Sequence, residues 1–548
     1  MREKKEYIGE DMKFDIDHLD RTYIIAEMSA NHAGSIERAK EIIRKAKEAG
    51  ADCIKIQTYT PDTLTIDCSN EYFTVKDGTW EGENLYGLYG KAYTPWEWQK
   101  ELKEEADRAG IDFLSTPFDK TAVDFLEELG LEFYKIASFE IVDLPLISYV
   151  ASKQKPMIIS TGMATKEEIK EALETVYATG NHRVALLKCS SVYPADPAQM
   201  HLSTIADMRE SFPGVPIGLS DHSMGHFSAG IAVSMGAKII EKHFCLGREI
   251  ENPDASFSMT PTEFKEMVDN IREIESAMGE PFYGVSPKEE TSVVFRRSIF
   301  AVEDIKAGER PDEKNVRIIR PGYGIKPKYI DDIKELEFEK DVAYGTPVTF
   351  DLFKKGAVLF LTNNENTAEL YEWLKEKEVY TCRIGRKITP EMIRALKPSF
   401  IVSFNYRYII PKEIIEFMDG RIINLHISYL PYNRGSSPNF FSFYDNTPKG
   451  VTIHRMAPGL DTGDILCQRE VLFDEEKETF RQAYDKLIEE IGELFKENWD
   501  DIKSGKIQGV KQSGAGSYHT MKEFHAITDG RDFNWDLKIA DAIRSLKQ

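Results

Sequence analysis

The stretch Tyr23–Tyr59, "YIIAEMSANHAGSIERAKEIIRKAKEAGADCIKIQTY", decides the fold. It opens on an apolar run at 23–28 and closes on a second at 53–59. Between them, "SIERAKEIIRKAKEAGA" repeats apolar residues at helical spacing and has a Gly near its end, the signature of an amphipathic helix and its stop. Strand, helix, strand makes one β/α unit, and the unit recurs. The runs "DFLSTPF" (112–118), "FYKIAS" (133–138), "MIISTG" (157–162), "VALLKC" (184–189), "IGLSDH" (217–222) and "IIEKHF" (239–244) follow, with helix-like stretches such as "KEEIKEALETVYATG" between them. About eight such units over about 250 residues predict a (β/α)8 TIM barrel. An open doubly wound sheet is the alternative, disfavoured by the count and the regular spacing. The longest gap, "TPDTLTIDCSNEYFTVKDGTWEGENLYGLYGKAYTPWEW", is too long for a plain loop and is expected to form a cover or one wall of the site.

At 548 residues the chain is too long for one core. After the barrel pattern, "SIFAVEDIKAGERPDEKNVRIIRPGYGIKP" and "KDVAYGTPVTFDLF" show short strands and Gly turns, so 285–353 reads as a small β-rich domain following a barrel domain at 1–284. A new α/β pattern, 356–548, starts with "AVLFLT", "FIVSFN" and "IINLHI" as parallel strands on a Rossmann-like scaffold. No GxGxxG follows "AVLFLT", which argues against a dinucleotide. The net charge of −22 disfavours nucleic acid and anionic membrane surfaces. No run reaches transmembrane length, and the N-terminus is charged without an apolar leader. The six cysteines are scattered with no CxxC pair, so neither a zinc knuckle nor a redox motif is indicated. A cytoplasmic location is expected.

A barrel carries its chemistry at the C-terminal ends of its strands. Polar residues gather there: Glu27 and Asn31-His32, Lys55 and Gln57, Thr116, Lys135 with Ser138 and Glu140, Ser190, Ser191 and Tyr193, Ser220-Asp221-His222, and Lys242-His243. Buried charges need partners, so charged groups on so many strands point to a site rather than to a core. Two lysines and several hydroxyls suit a small phosphate-bearing anion, and His222 with His243 could share one divalent metal. In the last third, Asn424, His426 and Asp461 form a polar trio. An Asn can donate to an oxyanion, and an imidazole can be tuned by a carboxylate. That set suits acyl transfer to an amine. Read blandly, "NLHISYLP" is a core strand carrying a chance His.

The segments "IIAEMSANHAGS", "IKIQTYTPDTLT", "FLSTPFD", "GLSDHS" and "EKHF" resemble the sialic acid synthase family, and "RRSIFAVEDIKAGE…IRPGYGI" resembles its C-terminal antifreeze-like (SAF) domain. "TWEGENLYGLYGKAYTPWEW", "YKIASFEI" and "LLKCSSVYPA", with Ser191 where N-acetylneuraminate synthases have Asn, look most like pseudaminic acid synthases. The resemblance implies condensation of phosphoenolpyruvate with a 2,4-diacylamino-2,4,6-trideoxyhexose. It places Lys55, Thr116, Lys135, Ser138 and Ser220 on phosphate and carboxylate, Mn²⁺ or Mg²⁺ on His222 and His243, and Glu27 as acid/base. Gln57, Tyr193 and Asp254 would contact the sugar, and Glu140 and Ser191 would line the substrate site. Arg320 would reach into a partner subunit, implying a domain-swapped homodimer. "NLHISYLPYNRGSSPNFFSFYDNTPKGVTIHRMAPGLDTGDILCQREV" resembles the 10-formyltetrahydrofolate-dependent formyltransferases, with Asn424, His426 and Asp461 as the catalytic trio, "YRYIIPKEII" as a folate-side loop and "GSYHTMKEF" as a tail motif of sugar-directed members. The acceptor implied is an amino sugar or nucleotide-linked amino sugar. Two other readings stand beside a two-activity enzyme: a synthase whose C-terminal part is a binding or assembly module, and a synthase of a legionaminic or neuraminic-type sugar. The last stretch, "DGRDFNWDLKIADAIRSLKQ", reads as a docking helix.

Overall fold

A computed structural model of the chain describes residues 14–76, 81–528 and 533–547. The reading of the charged N-terminus falls almost wholly on residues 1–13, outside the described residues, as do 77–80 of the long gap and part of the final stretch. The chain divides into two compact units, Met1–Phe282 and Tyr283–Gln548.

The first unit is a closed barrel of parallel strands, each paired to the next in sequence and the last to the first. The strands are β1 (Tyr23–Glu27), β2 (Cys53–Thr58), β3 (Asp112–Pro117), β4 (Tyr134–Ile136), β5 (Met157–Ser160), β6 (Val184–Cys189), β7 (Ile217–Asp221) and β8 (Ile239–His243). Side chains alternate between the two faces of a strand. Ile24 and Ala26 belong to the core between strands and helices, which also takes Ile42, Ile43 and Ala46 of the helix Ile36–Glu48. Tyr23 and Ile25 belong to a second cluster inside the barrel, with Cys53, Leu114, Phe133, Ile158, Leu187 and Ile239. Phe14 and Leu19 pack against that inner cluster, and Phe14 stacks on Phe133 with ring centroids 4.4 Å apart. The long gap after β2 holds the helices Pro61–Leu64 and Leu85–Ala92, whose Leu64, Leu85, Leu88 and Tyr89 line the barrel pocket, so it is a wall as expected.

The second unit begins with β9 (Ser298–Ala301) paired antiparallel to β10 (Val316–Ile319). A six-stranded sheet follows, made of β11 (Val358–Leu361), β12 (Thr381–Ile384), β13 (Phe400–Phe404), β14 (Ile422–His426), β16 (Gly450–Arg455) and β17 (Ile465–Glu470). Its order is β12-β11-β13-β14-β16-β17. The first four strands are parallel; β11, β13 and β14 are the three the sequence suggested, β12 is a fourth it did not, and β16 and β17 are added antiparallel. A two-residue strand β15 (Arg434–Gly435) pairs with β18 (Tyr518–His519), which ties the "GSYHTMKEF" segment to the loop after β14. The helix Phe480–Lys503 covers one face of the sheet with Leu487, Ile491, Phe495 and Trp499. The helix Ile539–Leu546 docks Ile539 and Ala542 onto Phe440 and Phe480, in line with the docking reading. One core joins the β-rich part to the sheet: Ile299, Tyr329, Ile333, Leu336 and Phe338 share it with Leu359, Cys382, Ile384 and Ile401.

Candidate active sites

The alternation that fills the barrel floor with apolar side chains puts polar ones at its C-terminal mouth. Two residues beyond Ile25 stands Glu27; two beyond Cys53, Leu114, Phe133 and Ile158 stand Lys55, Thr116, Lys135 and Ser160; two and four beyond Ile239 stand Glu241 and His243. These line a cavity of about 350 Å³, together with Gln57, Ser138, Glu140, Tyr193, Ser220, His222 and Asp254. Lys55 Nζ lies 3.0 Å from Glu27 Oε2 and 2.7 Å from Glu241 Oε1. Lys135 Nζ donates to Ser160 Oγ at 2.7 Å and lies 3.6 Å from Glu241 Oε2. Ser220 Oγ donates to Glu241 Oε1 at 3.0 Å, and Gln57 Nε2 to Glu27 Oε1 at 3.2 Å. Burial lowers the Lys55 ammonium to about 7, with Glu241 opposing it. Burial alone would raise the Glu241 carboxyl; Lys135 and Lys55 override it and hold it below the usual carboxylate range. An anion bound beside Lys55 would restore the charge that burial disfavours. Burial raises the Glu140 carboxyl to about 7, and one of its oxygens and the Thr116 hydroxyl are buried without a hydrogen-bond partner.

His222 and His243 face each other with ring centroids 5.4 Å apart. His222 Nδ1 lies 2.7 Å from the Ser190 carbonyl, which can only accept, so that nitrogen carries the hydrogen and Nε2 is left as the free lone pair. His243 Nδ1 is buried with no hydrogen-bond partner. Burial lowers both imidazoles to about 3 and keeps them neutral, the state a metal ligand needs. Two neutral imidazoles, one with an orphaned nitrogen, fit a divalent cation. Among the described residues no group of three or more His, Cys, Asp or Glu is placed to hold a metal ion.

Strand phase divides the other polar residues. Asp221 and Lys242, next to pocket residues in sequence, turn to the outer face and pair with each other at 2.8 Å. Asn31 donates to Ser258 Oγ at 2.8 Å, and His32 contacts Thr94 at 3.3 Å, so both serve the wall behind the cavity. Ser191 stands behind Ser138, hydroxyl to hydroxyl at 3.0 Å, rather than on the cavity surface. Arg320 belongs to the second unit, exposed at the turn after β10. Glu241 was missed by the sequence reading. Its signal was there: an acid in the same phase as His243, two residues before it.

In the second unit, the C-terminal ends of the parallel strands border a cavity of about 830 Å³ lined by Asn424, His426 and Asp461, with the 405–412 loop on one side. Asp461, at φ 52°, is the hub. Its Oδ1 accepts from Asn424 Nδ2 at 3.2 Å and its Oδ2 from the Gly435 N–H at 3.0 Å; His426 Nδ1 lies 3.7 Å from Oδ2. His426 Nε2 lies 3.1 Å from the Asn433 carbonyl, so Nε2 holds the hydrogen and Nδ1 is the basic nitrogen. Burial lowers the His426 pKa, and the Asp461 charge partly opposes it. Burial alone would raise the Asp461 carboxyl, but His426 and His454 hold it below the usual carboxylate range. His454 was also missed. The antiparallel register sets it opposite Asn424, with Nε2 3.5 Å from Asp461 Oδ1. Gln512 Nε2 donates to the Asp461 carbonyl at 2.7 Å and fixes the loop that carries it.

Three family models match parts of the chain. The NeuB family matches residues 42–283, the SAF domain 296–354 and the formyl transferase family 361–497. Pseudaminic acid synthase of Campylobacter jejuni is 44% identical over 336 residues, 61% of this chain and 96% of the relative. Spore coat polysaccharide biosynthesis protein E of Chromobacterium violaceum superposes with a TM-score of 0.51 at 26% identity, over 61% of this chain and all of that one. The formyltransferase PseJ of Anoxybacillus kamchatkensis, solved with UDP-4,6-dideoxy-4-formamido-L-AltNAc and tetrahydrofolate, is 39% identical, with a TM-score of 0.32, over 34% of this chain and 96% of that one.

Proposed function

We propose that this chain, which belongs to the NeuB family and continues into an SAF and a formyl transferase domain, is a two-activity enzyme of pseudaminic-type sugar synthesis. Its domains are taken as 1–284, 285–353 and 356–548. The barrel condenses phosphoenolpyruvate with a 2,4-diacylamino-2,4,6-trideoxyhexose. The C-terminal pocket N-formylates an amino sugar, free or nucleotide-linked, from 10-formyltetrahydrofolate. The observation that carries the reading is the buried Glu27–Lys55–Glu241–Lys135 cluster beside two neutral imidazoles. Mass spectrometry of products from a panel of hexoses with phosphoenolpyruvate tests it; no nonulosonic acid from any of them refutes it.

In the condensation the enol C3 forms a bond to the sugar aldehyde carbon, water adds at C2, and phosphate leaves by C–O cleavage. Lys55, Lys135, Thr116, Ser138 and Ser220 hold phosphate and carboxylate. Gln57, Tyr193 and Asp254 orient the sugar, Glu140 lines the substrate site beside them, and Ser191 stands behind Ser138. Glu27 handles the proton of the water or of the developing alkoxide. His222 and His243 would hold Mn²⁺ or Mg²⁺. When bound, the cation supplies Lewis-acid polarisation of the aldehyde.

10-Formyltetrahydrofolate, when bound, supplies the formyl group. The acceptor nitrogen bonds to the formyl carbon as the bond from that carbon to N10 breaks. His426 Nδ1 takes the amine proton, N10 receives one, Asn424 donates to the developing oxyanion, and Asp461 stabilises the imidazolium. A pH profile follows. His426 must be neutral to act, and its pKa lies below 6.5, so its acid limb falls below that pH. Asp461→Asn removes the charge that raises the His426 pKa, so the limb moves to lower pH while the plateau rate drops. A limb unmoved in Asp461→Asn would assign the titration to another group.

A homodimer with exchanged C-terminal parts is proposed for Arg320. What supports it is a set of exposed apolar side chains after the barrel strands, Ile66, Phe139, Met163, Met224 and Phe227, and the exposed Tyr323 and Tyr344 in the β-rich part that carries Arg320. Arg320→Ala is expected to lower kcat/KM for phosphoenolpyruvate on the order of 10- to 100-fold. Mixing Arg320→Ala with His243→Ala should restore turnover through hybrid dimers whose one complete site draws on both chains. No recovery after exchange would rule out a shared site. A cytoplasmic enzyme is proposed, in keeping with six free cysteines. Among the described residues no helix is long and apolar enough to cross a membrane.

A further inference from the structure

β12 is the edge of the six-stranded sheet, and a bare edge strand invites unwanted pairing. It is covered by residues 329–337 of the β-rich part. The Arg383 N–H donates to Glu335 Oε2 at 2.8 Å, Tyr371 Oη donates to the same oxygen, and the Glu337 N–H donates to Tyr380 Oη at 3.2 Å. Beneath these contacts lies the shared core already described. The SAF match ends at 354 and the formyl transferase match begins at 361, so these contacts cross from one family to the other and neither family supplies them.

One of them reaches the pocket. Asp332 is buried, and its Oδ1 accepts the N–H groups of Gly385 at 2.7 Å and Arg386 at 3.2 Å. Tyr329 Oη donates to the Lys387 carbonyl at 2.9 Å. The loop so held passes the constraint on in two ways. Tyr406 Oη donates to the Arg386 carbonyl at 2.7 Å and accepts the Ile388 N–H at 3.0 Å. Asn363 Nδ2 donates to the Gly385 carbonyl, and Asn363 Oδ1 accepts the Arg407 N–H at 3.0 Å. Tyr406 and Arg407 are in the wall of the cavity that contains His426.

We propose that the SAF part is a working component of the formyl-transfer pocket, with Asp332 as a positioning residue that sets the 385–388 loop and, through Tyr406 and Asn363, the donor-side wall. This rests on the formyl-transfer reading above. Two charge-assisted hydrogen bonds accepted by one carboxylate oxygen are strong enough to fix a loop, and their loss leaves the amides of Gly385 and Arg386 without acceptors.

The test uses the full-length chain. Asp332→Ala is expected to raise KM for 10-formyltetrahydrofolate about 10- to 100-fold with a smaller change in kcat. Asp332→Asn keeps an acceptor oxygen and should restore most of the loss. Tyr329→Phe removes only the second anchor and should shift KM the same way by less. Phosphate release by the barrel, measured on the same samples, should not move. Hydrogen exchange at the amides of Gly385, Arg386 and Arg407 should quicken in Asp332→Ala. An unchanged donor KM in Asp332→Ala, or equal losses in the Ala and Asn variants, overturns the positioning role. If the wild type transfers no formyl group, the reading of the pocket fails instead, and amide exchange still decides: protection unchanged in Asp332→Ala overturns the positioning role.

Discussion

His426→Ala should lower formyl transfer by about 10²- to 10⁴-fold, the range for removal of a positioned general base, while phosphate release from phosphoenolpyruvate continues at the wild-type rate. The Asn433 carbonyl, 3.1 Å from Nε2, takes the only hydrogen of a neutral imidazole, so Nδ1 has nowhere to put its lone pair except on a proton delivered from the cavity. Asp461 lies 3.7 Å from that nitrogen, too far for a good hydrogen bond and close enough to stabilise the cation that forms. His426→Gln can still donate to Asn433 but offers no basic nitrogen, so it should fold and stay as inactive as the Ala variant. The split between the two activities matters more than the size of the loss. If the C-terminal part were a binding or assembly module, His426→Ala would leave every product of the full chain unchanged. Equal loss of both activities would point to misfolding.

Much of the barrel was legible because its information is local. Apolar runs, helical spacing and Gly stops repeat every few tens of residues, and a strand shows its two faces within five or six residues. The pocket was legible for the same reason, since the phase that buries Ile25 aims Glu27 at the mouth. Neighbouring charges were harder. In "IIEKHF" the pair Glu241-Lys242 can be assigned only by phase, and Glu241 belongs with the cavity while Lys242 pairs outward with Asp221. Two features needed information that no local window holds. His454 meets Asn424 through an antiparallel pairing between residues 30 apart. The cover over β12 joins Asp332 to Gly385, 53 residues away, and no periodicity in either segment marks it. The 356 boundary followed a change in local pattern, yet one core runs across it. A fragment beginning there would expose the β12 edge and the apolar face beneath it. A formyl-transfer assay is therefore better made on the full chain.

His243→Ala should abolish phosphate release and leave the fold as stable as the wild type, whereas Lys242→Met, one residue away, should destabilise it by roughly 3–5 kcal/mol. The contrast follows from what each side chain touches. His243 Nδ1 is buried without a hydrogen-bond partner, a standing cost of about 1–3 kcal/mol that the fold carries for no structural return. Removing the ring ends that cost and loses packing against Phe257, whose ring centroid is 5.0 Å away, so the two changes offset. Lys242 is the reverse case. Its side chain is 1% exposed and its ammonium meets the carboxylate of the fully buried Asp221 side chain at 2.8 Å, so deleting it strands a charge in the interior. A group that costs stability where it stands is kept for function, and a group whose removal unfolds the barrel is kept for structure. Thermal melts and phosphate release on the two variants separate these roles. A His243→Ala protein that still turns over at any concentration of added Mn²⁺ or Mg²⁺ would remove the imidazole pair from the chemistry, and a Lys242→Met protein as stable as the wild type would show that the outer pair is not what holds β7 and β8 together.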